Sequence, residues 1–177
     1  ECVEYDMLIQ RAERTSVPMP EVRPEPTRAT SMPFNDPELS YQWHYYNDGQ
    51  TINYGWDDGT NIEGADINLL SAWRYTAGDS RVIVAVLDGG VKCDHKDLVA
   101  NMWVNEGEVA GDGIDNDGNG YVDDVHGYNF VQNTGVIATD SAYDTGHGTH
   151  VAGVIAAENN NGIGISSVAG GTPGNPG

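Results

Sequence analysis

The sequence predicts an α/β fold with a mainly parallel sheet. Two helix-like segments lie at 66–76 and 147–157, and two short apolar runs lie at 81–87 and 163–168. The order helix, strand, loop, helix, strand is typical of an α/β layer with parallel strands. With 177 residues, the chain has about the length of one domain.

The segment 66–76 has the signals of a helix. Asp66 is a suitable N-cap residue, and Ile67, Leu70 and Trp73 recur at helical spacing. Gly78 follows the predicted end. The next segment, 81–87, is a continuous apolar run rich in Val and Ile, which predicts a central strand covered on both faces.

The remaining segments are rich in loops. Residues 1–14 are compatible with a short helix, and 15–33 contain five prolines among charged residues, which is typical of an extended or disordered linker. Residues 35–56 are rich in turns and aromatic side chains, which could clamp a surface segment onto the core. Cys2 and Cys93 could form a disulfide or remain free thiols.

The charge excludes some classes of partner. The chain has 27 acidic and 8 basic residues and a net charge of −19, which argues against nucleic acid and against an anionic membrane surface. No apolar run reaches the roughly 18 residues of a transmembrane helix. Because many acids cluster in one segment, we interpret that segment as cation-binding rather than merely solubilising.

Asp88 ends the predicted central strand and is followed by Gly89 and Gly90. In open α/β sheets, functional sites lie at the carboxyl ends of strands. Two glycines allow a sharp turn and keep the approach to the carboxylate open. Taken alone, Asp88 is more typical of an aspartate that caps a turn or a helix.

His147 opens the second predicted helix, directly after Gly146. The helix dipole disfavours an imidazolium ion at this end, so the ring stays neutral and basic. His150 lies three residues further along, and the pair could bind a metal in a metal-dependent hydrolase. A zinc-protease helix instead has a Glu after the first histidine and a spacing of four. We therefore expect His150 to be buried and structural.

Two segments together resemble the subtilisin-like serine proteases, or subtilases. They are Val-Ala-Val-Leu-Asp-Gly-Gly-Val at 84–91 and His-Gly-Thr-His-Val-Ala-Gly at 147–153. The first departs from the family at Gly89, where Ser or Thr is usual. The resemblance implies a subtilisin-like three-layer fold, with 35–177 as the N-terminal part of the catalytic domain and 1–34 as the end of a propeptide or a Pro-rich linker.

The resemblance also implies roles for these residues. Asp88 would orient and stabilise the base, and His147 would take the proton from a nucleophilic serine located after residue 177. This chain alone is then expected to be inactive and to require the remainder of the catalytic domain. The substrate would be a protein or peptide, and the location secreted or in the cell envelope.

The serines within the chain do not fit the family's nucleophile pattern. We interpret Ser141, Ser166 and Ser167 as ordinary loop or strand residues. An alternative function keeps the scaffold without the nucleophile, as a calcium-stabilised pseudoprotease or an adhesion module.

An acidic segment matches the first part of a calcium-binding loop. Residues 115–124 follow the pattern Asp-x-Asp-x-Asn-Gly, in which alternate side chains face the ion and a glycine makes the turn. His126 occupies the twelfth position, where a Glu is usual, so another acid must close the site. An acidic turn without an ion is the alternative. The predicted ligands are Asp115, Asp117, Asn119, the Tyr121 carbonyl, and Asp123 or Asp124.

A second calcium site is implied by the resemblance alone. Related subtilases bind this ion with an early Asp, an Asp after the catalytic aspartate, and the Asn-rich loop that follows the histidine helix. The matching side chains are Asp36, Asp97 and Asn161, and the matching carbonyls are those of Glu158, Ile163 and Ile165.

Overall fold

The computed structural model describes residues 31–49, 62–137, 146–172 and 174–177. In these residues the chain forms helices α1 (Leu69–Ala72) and α2 (His147–Ala156), with single 3₁₀ turns at Leu39–Tyr41 and Val99–Asn101. None of these helices is long and apolar enough to cross a membrane. The predictions for residues 1–30, including Cys2, and for Tyr54, Trp56 and Ser141 lie outside the described residues.

Helix α2 forms almost as predicted. Gly146 enters it with a left-handed backbone at a φ of 74°, and its carbonyl accepts the N–H of His150 at 2.9 Å. The buried positions of α2 are Gly148, Ala152 and Gly153, so its inner face has little side-chain volume. Small residues allow the helix backbone to approach neighbouring segments closely, and this closeness positions the candidate site.

Helix α1 is shorter than predicted. Asn68 adopts a left-handed backbone with a φ of 53°, and the helix starts only after it. The carboxylate of Asp66 accepts the N–H of Asn68 at 2.7 Å and that of Asn47 at 2.6 Å. Asp66 therefore stabilises a turn before the helix, and its prediction as the helix N-cap is wrong.

The predicted strands are not paired into a sheet in the described part of the chain. A strand needs a neighbouring strand to satisfy its backbone N–H and C=O groups, and none pairs with 81–87 there. The side chains of Val82 and Ile83 are exposed, and Leu87 is 92% exposed. Within the described residues alone, the prediction that this run is covered on both faces is therefore wrong.

The segment 163–168 is held by side-chain amides instead of a strand. Ser166 donates its N–H to Gln42 Oε1 at 2.9 Å, and Gln42 Nε2 returns a bond to the Ser166 carbonyl at 2.8 Å. Ser167 donates its N–H to Asn159 Oδ1 at 2.7 Å. These buried amides satisfy the backbone, so the prediction of a strand here is wrong.

The first apolar cluster lies around α1. Its buried members pack with Phe34, Tyr46 and Ala77. Burial raises the pKa of Tyr45 to about 12, because the phenolate would lose its hydration. Of the predicted aromatic clamp, Tyr45 is buried, whereas Tyr41 and Trp43 are exposed. The buried members are Leu39, Tyr45, Leu69, Leu70 and Trp73.

The second apolar cluster lies along α2. Leu98, Ala152 and Ala157 form its buried part, and half-buried neighbours, including Val86 and Val91, pack against it. Tyr45 joins the first cluster to α2, because its hydroxyl donates to the Val154 carbonyl at 3.2 Å. Val86 and Val91 flank Asp88, so this cluster fixes the segment that contains the carboxylate.

Substitutions at two positions of the predicted helix test this packing. Leu70 is buried in the first cluster and Ile67 is 62% exposed. We expect Leu70→Ala to lower the free energy of unfolding by about 2–5 kcal/mol, because it leaves a cavity. The matched control, Ile67→Ala, should change it by no more than about 0.5 kcal/mol. Urea unfolding followed by Trp fluorescence measures both, and equal losses would contradict this assignment of the core.

Candidate active site

Asp88 presents its carboxylate in a loop between two half-buried valines. Its side chain is only 16% exposed, and Oδ1 accepts the N–H of Gly89 at 2.7 Å. That bond is the main reason why the pKa of Asp88 lies below its usual range, and the contact with His147 lowers the pKa further. The carboxylate is therefore ionised at neutral pH and available as an acceptor.

His147 is the first residue of α2, and it contacts Asp88. The distance from His147 Nδ1 to Asp88 Oδ2 is 2.7 Å, although 59 positions separate the two residues. The His147 side chain is 70% exposed, so the far side of its ring is open to a reacting group. The structure thus brings together the two residues that the sequence predicts as catalytic.

This geometry defines which ring nitrogen can act as a base. A carboxylate beside Nδ1 favours the tautomer that has its proton there, because the N–H then donates to the carboxylate. The lone pair is left on Nε2, on the open side of the ring. An imidazole held this way can accept a proton from a hydroxyl group, and the carboxylate stabilises the imidazolium that results.

A close backbone approach allows the contact. If Gly148 had a Cβ, that atom would overlap the carbonyl oxygen of Gly90 and would lie 3.0 Å from Asp88 Cβ. The first turn of α2 can therefore lie against the loop after Asp88 only with glycine at position 148. The departure from the family at Gly89 leaves open space beside the carboxylate, since a Cβ there would meet no atom within 4 Å.

Two serines considered as nucleophiles, Ser166 and Ser167, have hydroxyls that are already bonded to other groups. Ser166 and Ser167 are fully buried. Ser166 Oγ donates to Asp36 Oδ2 at 2.6 Å, and Ser167 Oγ donates to the Ala157 carbonyl at 2.8 Å. Both hydroxyls have structural roles, which fits their interpretation as ordinary loop residues.

His150 differs from its prediction, because it is exposed rather than buried. Among the described residues, neither His150 nor His147 belongs to a group of three side chains spaced to hold a metal ion.

The acidic loop does contain such a group. One oxygen each from Glu108, Asp117 and Asp124 lies within 4.8 Å of the others. Asn105 Nδ2 bridges two of these carboxylates, at 3.0 Å from Asp117 and 2.9 Å from Asp124. The hydrogen bond from Asn105 is the largest of the contacts that lower the pKa of Asp117, so this carboxylate remains charged.

The other predicted loop ligands lie around this group. The Asp115 carboxylate accepts backbone N–H groups of Gly118 and Gly120 at 2.7 and 2.8 Å. Asp123 has a φ of 55° and accepts the N–H groups of Gly111 and Gly113. Asn119 Nδ2 donates to both Asp117 and Asp124, and the Tyr121 ring packs on Tyr128 and Phe130.

Glu108 is the member of the acidic group that the sequence interpretation missed. It lies seven positions before Asp115, outside the spacing of the recognised loop pattern. Its carboxylate accepts the N–H groups of Asn116 and Asp123 at 2.8 and 3.0 Å. Only a loop that folds back on itself brings Glu108 to this place. The one sequence signal was the acidic composition of the preceding turn.

The second predicted ligand set also comes together. Asp36 and Asp97 are buried, and Asn161 joins them. Its N–H donates to Asp36 Oδ1 at 3.0 Å, and its Nδ2 donates to Asp97 Oδ1 at 2.8 Å. The three residues whose carbonyls were predicted as ligands lie in the same loop, since Glu158, Ile163 and Ile165 each donate an N–H to Asp97 or Asn161.

Comparison with known proteins identifies the family of this chain. A model of the subtilase family matches residues 79–174, which is more than half of the chain. The chain belongs to the subtilase family. Membership implies the subtilisin-like α/β fold, and Asp88, His147 and the acidic loop lie inside the matched segment.

Several known proteins are similar to this chain. It is 37% identical to subtilisin-like protease 1 of Plasmodium vivax, with 90% of this chain and 27% of the relative aligned. The same protein of Plasmodium berghei is 45% identical over 73% of this chain and 20% of the relative. Halolysin of Haloferax mediterranei is 36% identical over 64% of this chain and 18% of the relative. The chain thus spans about a quarter or less of each of these subtilases.

The titration of Asp88 tests the contact with His147. We expect His147→Ala to raise the pKa of Asp88, because a partner of its charged form is lost. The pKa should stay below the usual range, since the Gly89 N–H remains. A lowered folded-state pKa favours the folded chain above the unfolded pKa of about 3.9, and this effect is lost as the pH falls through the folded value.

Carboxyl ¹³C NMR measures this pKa directly. Asp94, whose pKa is lowered chiefly by its bond with Lys92, is the internal control and should titrate unchanged. An Asp88 titration that is identical with and without the imidazole would show that the two side chains do not interact in solution.

Proposed function

We propose that this chain supplies the aspartate and the histidine of an Asp-His-Ser triad in a secreted serine endopeptidase. The observation that carries the proposal is the 2.7 Å contact between His147 Nδ1 and Asp88. A carboxylate on one ring nitrogen, with the other nitrogen open to solvent, is the arrangement that activates a serine.

In this mechanism each residue has one task. Asp88 accepts the Nδ1 proton and holds the ring in the reactive tautomer. His147 Nε2 removes the proton from the serine as its oxygen attacks the scissile carbonyl, and later donates that proton to the leaving amine. Asp88 stays ionised throughout and stabilises the imidazolium.

The nucleophile is proposed to lie in the chain that follows residue 177 in the whole protein. The hydroxyls of Ser166 and Ser167 are bonded elsewhere, and the aligned relatives are several times longer than this chain. The remainder of the catalytic domain would also cover the exposed apolar run at 81–87. We therefore propose that the isolated chain is inactive.

The relatives' names suggest the substrate class and the location. They include subtilisin-like proteases and an extracellular basic protease of Dichelobacter nodosus. We accordingly propose protein or peptide substrates and a secreted or cell-envelope location. The net charge of −19 agrees with a protein that does not act on nucleic acid.

A fluorophosphonate probe tests the proposed triad in the whole protein. We expect the folded whole protein to be labelled at one serine, and we expect His147→Ala to abolish the labelling. Loss of the base should lower the rate by about 10⁶, a scale that was itself measured on a member of this family. Asp88→Asn should lower it by about 10⁴, because the ring then adopts the wrong tautomer.

Thr134→Val, in an exposed loop, is the control and should label normally. Absence of labelling in a correctly folded whole protein would contradict the proposed function. That result would favour the alternative of a non-catalytic, calcium-stabilised pseudoprotease or adhesion module.

We further propose that the acidic loop binds calcium. Glu108, Asp117 and Asp124 offer oxygens within 4.8 Å of one another, and calcium prefers six to eight such hard ligands. Asp115, Asn119, Asp123 and the Tyr121 carbonyl belong to the same loop and would supply the rest.

The charge distribution supports a cation at this loop. The sequence has no Lys or Arg from residue 97 to residue 177, so no ammonium or guanidinium group of this segment can neutralise the carboxylates. Like charges at these distances repel one another. A divalent ion would remove this repulsion, and Asn105 does so only partly through its hydrogen bonds.

The second proposed calcium site uses Asp36, Asp97 and Asn161. Both carboxylates are buried, and burial of an uncompensated charge is costly. In this structure the two carboxylates accept hydrogen bonds that partly compensate their charge. The donors are backbone N–H groups, Asn161 Nδ2 and the Ser166 hydroxyl. The carbonyls of Glu158, Ile163 and Ile165 lie in the adjoining loop and would complete the coordination.

Isothermal titration with calcium tests both sites on this chain. We expect two equivalents to bind, and we expect the pair of substitutions Asp117→Asn and Asp124→Asn to reduce this to one. Calcium at a hundredfold excess over Kd should stabilise the folded state by about 2.7 kcal/mol for each site, and chelation should lower the melting temperature accordingly.

Asp79→Asn is the matched control, because Asp79 is an acid that pairs with Arg81 outside both groups. It should leave the stoichiometry unchanged. An unaltered melting curve after complete chelation would contradict both proposed calcium sites.

A further inference from the structure

Thr149 connects the first turn of α2 to the loop that follows Asp88. Its Oγ1 accepts the backbone N–H of Lys92 at 3.0 Å, across 57 positions of sequence. Thr149 lies two residues after His147, and Lys92 lies four residues after Asp88. The bond therefore runs beside the candidate pair and joins the same two segments.

Packing alone gives the His147 ring little support. The side chain is 70% exposed, so few contacts limit its movement. The apolar contacts between the two segments lie further along α2, in the cluster that contains Ala152, Val86 and Val91. At position 148 a glycine permits close approach but provides no side chain to hold it. The orientation of the first turn therefore depends on polar bonds.

We propose that Thr149 is a positioning residue for the proposed triad. Its hydroxyl fixes the first turn of α2 against the loop after Asp88 and so keeps His147 Nδ1 within hydrogen-bonding distance of the carboxylate. This inference rests on the proposed function only for its effect on catalysis. The contact that Thr149 maintains exists in this chain whether or not a serine joins it.

Three substitutions separate the hydroxyl from the rest of the side chain. Thr149→Val keeps the branched shape and removes the acceptor, so the Lys92 N–H must turn to water. Thr149→Ser keeps the acceptor without the methyl group. Thr149→Ala is a second variant without a hydroxyl, in case valine disturbs the fold. Thr134→Val is the matched control, because Thr134 Oγ1 likewise accepts a backbone N–H, that of Val136 at 3.2 Å, outside the contact between α2 and the loop after Asp88.

The first measurement uses this chain and needs no serine. Long-range ¹H–¹⁵N correlation spectra of the His147 ring show which nitrogen holds the proton. We expect the proton on Nδ1 in the unaltered chain, in Thr149→Ser and in Thr134→Val. In Thr149→Val and Thr149→Ala the proton should redistribute toward Nε2, because the bond to Asp88 loosens.

The second measurement uses the whole protein with a peptide substrate. We expect Thr149→Val to lower kcat by about tenfold with KM unchanged, since a small misplacement of a catalytic group slows the chemical step. Thr149→Ser should restore most of kcat. A residue with only a structural role would lower the amount of folded protein without changing kcat per labelled serine.

The outcomes distinguish this inference from the proposed function. A wild-type tautomer in both hydroxyl-free variants, measured in folded chains, would overturn the role of Thr149 even if the whole protein is an active protease. A redistributed tautomer in an inactive whole protein would support the role of Thr149 and contradict the proposed function.

Discussion

The hydrogen bond between Asp88 and His147 is the constraint on which the rest of the site depends. It joins a loop and a helix that are 59 positions apart, and it exists only because the backbones of these segments lie almost in contact. Gly148 makes that approach sterically possible, and the Thr149 hydroxyl holds it. A carboxylate that is ionised and partly shielded then determines the tautomer of an exposed imidazole. Base chemistry at Nε2 follows from these local facts.

In other loops, side-chain carboxylates and amides make the backbone hydrogen bonds that a neighbouring strand would otherwise provide. Backbone N–H groups of the Asn-rich loop after α2 donate to the carboxylates of Asp36 and Asp97. In the acidic loop, the Glu108 carboxylate accepts backbone N–H groups in the same way. Hydrogen bonds to ionised acceptors are stronger than neutral ones, so these loops can be ordered without a sheet. The same negative charge makes them suitable for a divalent cation, and the two roles are compatible.

The sequence was most informative where the signal was local. Helix α2, with Gly146 at its entry and small residues on its buried face, was correctly predicted from its own segment. The contact of Asp88 with His147 was implied only by the resemblance of two short segments to the subtilases, and the structure shows that contact. The predicted strands failed because pairing depends on residues distant in sequence, and the run ending at Leu87 is exposed in the described chain. Helix α1 is short because Asn68 adopts a left-handed backbone. Glu108 was missed because only the folded loop brings it to the acidic group.

A crystal structure of the whole protein with a phosphonate inhibitor would show whether the proposed triad forms. We expect His147 Nδ1 within hydrogen-bonding distance of Asp88, and Nε2 beside the oxygen of a phosphonylated serine from the chain after residue 177. A structure with the imidazole and the Asp88 carboxylate on separate faces of the molecule, or with the phosphonate on a serine remote from His147, would contradict it.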